Sequence, residues 1–289
     1  LIIDHWEKMA SGVLKVATCQ FLVSASVAKN AAAICAFMRK AKDGSAEIVH
    51  FSECALSGYG GANHKTLDGF DWDMLRAKTQ EIMTLAATLK LWVALGSMHR
   101  LTPPNRPHNC LYLINPKGRI ENRYDKRFCT QGDLDYYSPG NRFVTFEINS
   151  VKCSLLICFD LRFPEVYREI KKLGVNCIFQ SFYNSGSGIN IHSHIMRQTM
   201  QCHAATNYFW VSMNNTSGPK SPYPSCFIQP DGKIAAHLKL NRPGIMINTV
   251  DITKTFYDPS APFRMAAIDG ALSDGPVVND PRSQQTTLL

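Results

Sequence analysis

Short apolar runs alternate along this chain with longer segments of mixed polarity that read as amphipathic helices. Residues 14–20 read as a strand, 27–42 as an amphipathic helix and 47–52 as a second strand. Residues 74–90 read as a helix carrying Leu75, Ile82, Leu85 and Leu89, and 91–98 as a third strand. Two hairpins follow, 109–114 with 119–124 about Asn115-Pro116-Lys117-Gly118, and 143–148 with 152–157 across Asn149-Ser150. Pro164 opens a helix that Gly174 stops. A strand over 176–181, a helix over 192–206 and a strand over 208–213 come next. A hairpin of 226–229 with 233–237 about Asp231-Gly232 precedes a last strand over 244–250 that closes the sheet system. This alternation points to α/β layering, although periodicity does not choose among α/β layouts.

Composition narrows the class. A chain of 289 residues, 45% hydrophobic and 19% charged, is composed like a globular protein and long enough for one large α/β domain. No apolar run approaches the roughly 18 residues of a membrane span, and Asp4, His5, Glu7 and Lys8 interrupt any secretory signal core. The ten cysteines lie singly in apolar segments, as at Cys19, Cys35, Cys153, Cys177 and Cys202. With no Cys-x-x-Cys pair and no Cys/His cluster at zinc spacing, free thiols in a reduced, cytoplasmic protein without a metal are expected. Lys and Arg exceed Asp and Glu by 31 minus 23, or eight, but they are scattered, with only short pairs such as Lys171-Lys172. No basic and aromatic array suggests nucleic acid, so neither nucleic acid nor membrane is an expected partner. Residues 1–13 read as an N-terminal extension without a first Met, Met9 offering an alternative start, before a domain over 14–251. Residues 252–289, rich in Pro, Asp, Ser and Gly, should not fold alone.

One segment carries candidate chemistry. The apolar run from Val151 ends abruptly at Cys158, and Pro164-Glu165 then open a helical pattern. This puts one thiol at the carboxyl end of a buried strand, facing a helix amino terminus where thiolates are favoured and oxyanions find backbone donors. The stretch Cys158-Phe159-Asp160-Leu161-Arg162-Phe163-Pro164-Glu165 resembles the nucleophile motif of the nitrilase superfamily, the carbon-nitrogen hydrolases with a Glu, Lys and Cys triad. Upstream, Glu47-Ile-Val-His-Phe-Ser-Glu53, followed by Cys54-Ala-Leu-Ser-Gly58-Tyr59, resembles the glutamate motif, and Arg119 to Phe128 the lysine motif. The three stand in order at element ends, and the similarity runs from about Leu14 to about Asp251.

The resemblance implies a four-layer α-β-β-α sandwich, a homodimer or larger assembly, a tail that wraps onto a neighbouring subunit, and no cofactor. It implies Cys158 as nucleophile, Glu53 as general base and acid, and Lys126, with the Phe159 backbone N–H, as oxyanion donor and thiolate stabiliser. A second family acid points to Asp133 in the loop 130–140, with Asp135 as the alternative; an aspartate stands where a glutamate is common, which puts its reach to the lysine in question. Arg162 suits a substrate carboxylate, or else an ion pair with Asp160 or Glu165. Tyr59, Tyr183 and Asn184 follow strands that end near the site and read as pocket walls. His192, His194 and His203 lack metal spacing on a helix and read as solvated or packed. Residues 185–188, Ser-Gly-Ser-Gly, read as a flexible lid. Phe159-Asp160 favours the amidase and carbamoylase side of the superfamily. The expected reaction is therefore ammonia release from a small linear amide, aliphatic or ω-amide, with an N-carbamoyl substrate as alternative and a catalytically silent binding protein as the rival from another class.

Overall fold

The computed structural model describes residues 11–185 and 194–287. Residues 1–10 of the expected extension, Gly186, Ser187 and Gly188 of the expected lid, and His192 lie outside them.

Strand β1 (Val13–Gln20) explains why the apolar runs are continuous rather than alternating. Leu14 and Val16 point into a cluster with Leu155 and Phe179, while Ala17 and Cys19 point the other way, into a cluster with Ile34 and Met38 of helix α1 (Val27–Asp43). Both faces of the strand are covered, so both parities must be apolar. Strand β2 (Ile48–Phe51) repeats this, with Ile48 inward and Val49 and Phe51 toward the helices. Ser26 caps α1 by accepting from the Lys29 amide, and Asp71 caps α2 (Trp72–Leu89) by accepting from Met74 N at 2.8 Å. That cap starts α2 two residues ahead of the sequence expectation.

Strands β3 (Trp92–His99), β4 (His108–Ile114) and β5 (Ile120–Asp125) complete one half. The second half holds β6 (Thr145–Ile148), β7 (Val151–Ile157), α3 (Pro164–Lys172), β8 (Cys177–Ser181), α4 (Met196–Asn207), β9 (Trp210–Asn214), β10 (Cys226–Ile228) and β11 (Ile234–His237). Strand β12 (Gly244–Asp251) returns to the first half and pairs antiparallel with β1, from Val13 with Asp251 to Gln20 with Gly244. The result is two six-stranded mixed sheets, ordered β12-β1-β2-β3-β4-β5 and β11-β10-β9-β8-β7-β6. In each, three neighbouring strands are parallel, β1-β2-β3 and β7-β8-β9, and the strands outside them pair antiparallel, through the hairpins β4-β5, β6-β7 and β10-β11 and through the returning strand β12. Asn149 and Ser150 both take positive φ, 52° and 65°, as a tight two-residue hairpin turn requires. The α/β four-layer sandwich is the architecture present.

The tail divides. Arg264, in the short helix α5 (Arg264–Ile268), is buried, pairs with Asp258 and donates to Thr206 O at 2.9 Å, while Phe256 packs its ring on Trp210. From Ala271 to the short helix α6 (Pro281–Gln284) every residue is exposed. The tail thus packs on the domain where the end of α4 and the start of β9 offer it a surface.

A polar seam joins the two sheets through their apolar filling. His50 Nδ1 and Nε2 lie 2.8 Å from Ser212 Oγ and Ser181 Oγ, Ser212 lies 2.7 Å from Thr18 Oγ1, and Asn214 Nδ2 donates to His50 O at 2.6 Å and Cys19 O at 3.1 Å. Every group is paired, as buried polar groups must be. Burial lowers the His50 pKa to about 3, so the ring stays neutral where an unfolded histidine takes up a proton below about 6.5. Stability is therefore present at neutral pH and lost as pH falls from about 6.5 toward 3, by up to about 4–5 kcal/mol. Urea unfolding of His50→Gln should show lower stability at pH 7, by about 1–3 kcal/mol, and a flatter decline on acidification than wild type. Equal acid slopes would remove His50 as the cause.

Candidate active site

Four strand ends converge at one edge of the sandwich. Glu53 stands two residues beyond β2, Lys126 directly beyond β5, Cys158 directly beyond β7, and Tyr183 two residues beyond β8. The Glu53 turn is held close to β3: a Cβ at Gly96 would stand 1.9 Å from Ser52 O, so only glycine lets the turn approach. Cys54, next to Glu53, takes a left-handed φ of 51°.

Lys126 is fully buried, and its Nζ donates to Glu53 Oε1 at 2.7 Å and to Asp133 Oδ2 at 2.8 Å. Asp133 reaches the lysine because the loop curls into a short 3₁₀ turn, Asp133–Asp135, where Thr130 N donates to Asp133 Oδ2 at 2.9 Å and Thr130 Oγ1 accepts from Asp133 N. Bringing the backbone inward compensates for the short side chain, and Asp135 is left exposed. Tyr59 donates its hydroxyl to Asp133 Oδ1, stacks on Tyr183 with centroids 4.8 Å apart, and turns its ring to Lys126 Nζ at 5.8 Å. Asn109 Nδ2 donates to Glu53 Oε1 at 2.7 Å, and Tyr183 N to Glu53 Oε2 at 2.8 Å.

Charge states follow from this packing. Burial alone would depress Lys126, but the Glu53 and Asp133 charges and the Asp133 hydrogen bond hold its pKa well above the usual lysine value. Burial pushes Asp133 up, yet Lys126 and the Tyr59 and Thr130 hydrogen bonds bring it below the ordinary aspartate value. Glu53 is raised, by burial first, with the Asp133 charge opposing the relief from Lys126. Cys158 is raised well above a free thiol by burial and by Glu53, and Lys126 only partly offsets this. The expectation that Lys126 and a helix amino terminus favour a resting thiolate is therefore corrected: the thiol is neutral. The 3₁₀ turn Cys158–Arg162 also stands between the thiol and α3, which begins only at Pro164.

Cys158 takes a φ of 41°, a left-handed conformation unfavourable to a residue with a Cβ. Asp160 holds it there. Its buried carboxylate accepts from Ile157 N at 3.0 Å, Phe128 N at 2.9 Å and Tyr124 Oη at 2.7 Å, tying the Cys158 turn to the strand end that carries Lys126. From behind, Tyr167 donates to Gln180 Oε1, and Gln180 Nε2 approaches Cys158 O at 3.5 Å. Asn184 Nδ2 lies 3.5 Å from Cys158 Sγ, and Asn184 N donates to Asn215 Oδ1 at 2.8 Å. Phe159 is half-buried with its ring edge-on to Phe163, which stacks on Phe128, and Arg162 is exposed just beyond.

The structure thus brings Glu53, Lys126, Cys158, Asp133, Tyr59, Tyr183 and Asn184 together. His194 is exposed, and His203 stacks on Tyr167 and approaches Leu161 O at 3.0 Å. Among the described residues no group of His, Cys, Asp or Glu is arranged to hold a metal ion, and no helix is long and apolar enough to cross a membrane. All ten cysteines are free. Sequence reasoning missed Asn109, Asp160 as a brace, and Asn215. The first carried a usable signal, a polar residue opening the apolar run of β4.

Comparison with known proteins decides the family: a model described as carbon-nitrogen hydrolase matches residues 15–255. The chain belongs to the carbon-nitrogen hydrolase family. Among relatives of this carbon-nitrogen hydrolase, an (R)-stereoselective amidase of Pseudomonas sp. is 28% identical over 193 residues, 65% of this chain and 63% of the relative. The omega-amidase of Homo sapiens is 26% identical over 161 residues, 53% and 57% of the two chains. The matched stretch thus spans less than two thirds of either relative. In fold, the hydrolase superposes on a variant of a nitrilase-superfamily amidase from Nesterenkonia sp. AN1 with a TM-score of 0.73 at 16% identity, over 83% of this chain and 91% of that one.

Asp160 yields a prediction of opposite sign to that for His50. Burial raises its pKa to about 6, against the ordinary 3.8, so between those values the folded protein binds a proton that the unfolded chain releases. Wild type then loses up to about 3 kcal/mol as pH rises from 4 to 6, whereas Asp160→Asn cannot. The variant leaves a buried donor unpaired, so it should be less stable throughout, with the deficit larger at pH 4.5 than at pH 7. Urea midpoints at the two values check this, and a deficit that grows with pH would contradict it.

Proposed function

We propose that the protein is a thiol hydrolase that cleaves the carbon-nitrogen bond of a small linear amide, aliphatic or ω-amide, through a Cys158 thioester and releases ammonia. The observation that carries this reading is the hydrogen-bond count at Lys126. An ammonium has three N–H donors, and Glu53 and Asp133 take two. The third is left for an oxyanion, in a dry site where the donor is already oriented.

The proton route follows from the resting charges. Glu53, fixed by Lys126, Asn109 and the Tyr183 amide, acts as the base and takes the proton of the neutral Cys158 thiol as sulfur attacks the carbonyl carbon. Lys126 and the Phe159 N–H stabilise the tetrahedral oxyanion, and Glu53 passes its proton to the departing nitrogen. Water, deprotonated by Glu53, then cleaves the thioester and yields the carboxylic acid. Asp133 touches none of the reacting atoms in this scheme; it keeps Lys126 charged and aimed. In this reading Tyr59, Tyr183 and Asn184 contact the substrate, as do Phe159 and Arg162 in the turn that Cys158 opens. Support for a small amide comes from the amidase relatives and from the Nesterenkonia sp. AN1 amidase, a variant of which was solved with butyramide.

Purified protein incubated with butyramide and with succinamate should release ammonia and show a transient acyl adduct on Cys158 by intact mass. Cys158→Ala should bring ammonia release to background, and Lys126→Met should lower kcat/KM about 100- to 1,000-fold, the equivalent of one lost oxyanion donor. Ammonia release that survives Cys158→Ala would sink the mechanism. Carbon dioxide released with ammonia from N-carbamoyl compounds, but none from amides, would move the assignment to a carbamoylase.

A further inference from the structure

We propose that Tyr223 is a substrate-positioning residue whose hydroxyl donates to an acceptor oxygen on the acyl chain, so that oxygen-bearing acyl groups are selected over plain alkyl ones. This rests on the amide-hydrolase reading and adds a specificity determinant to it.

Tyr223 stands in the loop between β9 and β10, flanked by Pro222 and Pro224. Its side chain is 1% exposed, and its hydroxyl has no hydrogen-bond partner among the described residues. The other tyrosines around the core are satisfied. Tyr59 bonds Asp133, Tyr124 bonds Asp160, Tyr137 accepts from Gly60 N, and Tyr167 bonds Gln180. A buried hydroxyl without a partner forfeits about 1–3 kcal/mol, which a bound ligand restores.

The location fits a ligand in the active site. Asn215 Nδ2 donates to Tyr223 O at 3.1 Å and to Asn184 O at 3.2 Å, and Asn184 Nδ2 reaches the Cys158 sulfur at 3.5 Å. The ring lies edge-on to Phe182, whose carbonyl accepts from Glu53 N. Burial first, and the Glu53 carboxylate with it, keep the hydroxyl protonated, and Arg162 opposes them. A protonated phenol is a donor, and a buried one without a partner asks for an acceptor oxygen: hydroxyl, keto or carboxylate. A site with a buried donor discriminates strongly against the analogue that lacks the acceptor, because the donor then stays unpaired.

The test compares wild type with Tyr223→Phe on butyramide, 4-hydroxybutyramide and succinamate, together with calorimetric binding of the same amides to Cys158→Ala with and without Tyr223→Phe. Loss of the hydroxyl should lower kcat/KM and affinity roughly 10- to 100-fold for one or both oxygenated amides. Values for butyramide should stay within about twofold, and Tm should be unchanged or raised because an unpaired group is removed. Which oxygenated amide responds identifies the oxygen type. An equal loss on all three amides, a fall in Tm, or no loss on either oxygenated amide overturns the inference. Absence of ammonia, with a Tyr223-dependent binding preference retained in Cys158→Ala, removes the hydrolase reading and leaves this one standing.

Discussion

The buried ammonium of Lys126 is the constraint around which the site is organised. A charge removed from water is costly unless it is paired and hydrogen-bonded, and this one is held by two carboxylates at 2.7 and 2.8 Å. Each carboxylate is in turn tied down: Glu53 by Asn109 and the Tyr183 amide, Asp133 by Tyr59 and the Thr130 amide. Those partners come from β4, the turn after β8, the turn after β2 and the loop after β5. Four separate parts of the chain must therefore be placed before the charges are satisfied. Removing Lys126 leaves two buried carboxylates without their cation, and breaking a buried pair in this way typically costs about 3–5 kcal/mol, so site geometry and fold stability are coupled here.

The elbow that carries Cys158 obeys a related logic. A left-handed residue at the end of a strand is disfavoured locally, and the surrounding structure must over-determine it. Asp160 does so by accepting from the residue before the elbow, from the loop that follows Lys126, and from Tyr124 on β5. Cys158 and the ammonium are thereby fixed to each other through one carboxylate, although their motifs lie far apart in the chain. Beneath them, the His50 seam sets β2 against β8 and β9, and so fixes where Glu53 emerges relative to Tyr183 and Asn184.

Much of this was legible in the sequence. Strands covered on both faces leave unbroken apolar runs, so β1, β2, β7 and β8 could be read directly, and Asn149-Ser150 marked a hairpin that forms as expected. Three motifs in order placed Glu53, Lys126 and Cys158 at strand ends. What could not be read depends on contacts between distant segments. The reach of Asp133 rests on a 3₁₀ turn held by Thr130, and no spacing rule reveals that a shorter acid arrives by moving its backbone. The protonation of Cys158 is the clearer case. From sequence, a nearby lysine argued for a thiolate, but burial and the Glu53 charge outweigh it, and neither is visible before the chain is folded. Asp160 was read beside Arg162 because they are neighbours in sequence, whereas its carboxylate answers to Phe128, Ile157 and Tyr124.

The balance of charge explains why the site needs two acids for one lysine. With Glu53 alone, an ammonium and a carboxylate in a dry site could neutralise each other by proton transfer, leaving neither an oxyanion donor nor a base. Asp133 prevents this by contributing a second negative charge and a second acceptor, which hold the proton on Lys126. The same charge makes Glu53 more basic, since its carboxyl feels Asp133 as well as Lys126. One aspartate therefore strengthens the cation and the base together, and it adds to the burial and the Glu53 charge that keep the thiol neutral. A thiol that ionises only during attack is less exposed to adventitious oxidation than a standing thiolate, because reactivity toward oxidants follows thiolate character. In the proposed reaction, this arrangement reserves the reactive form of sulfur for the moment when a carbonyl is in place to receive it.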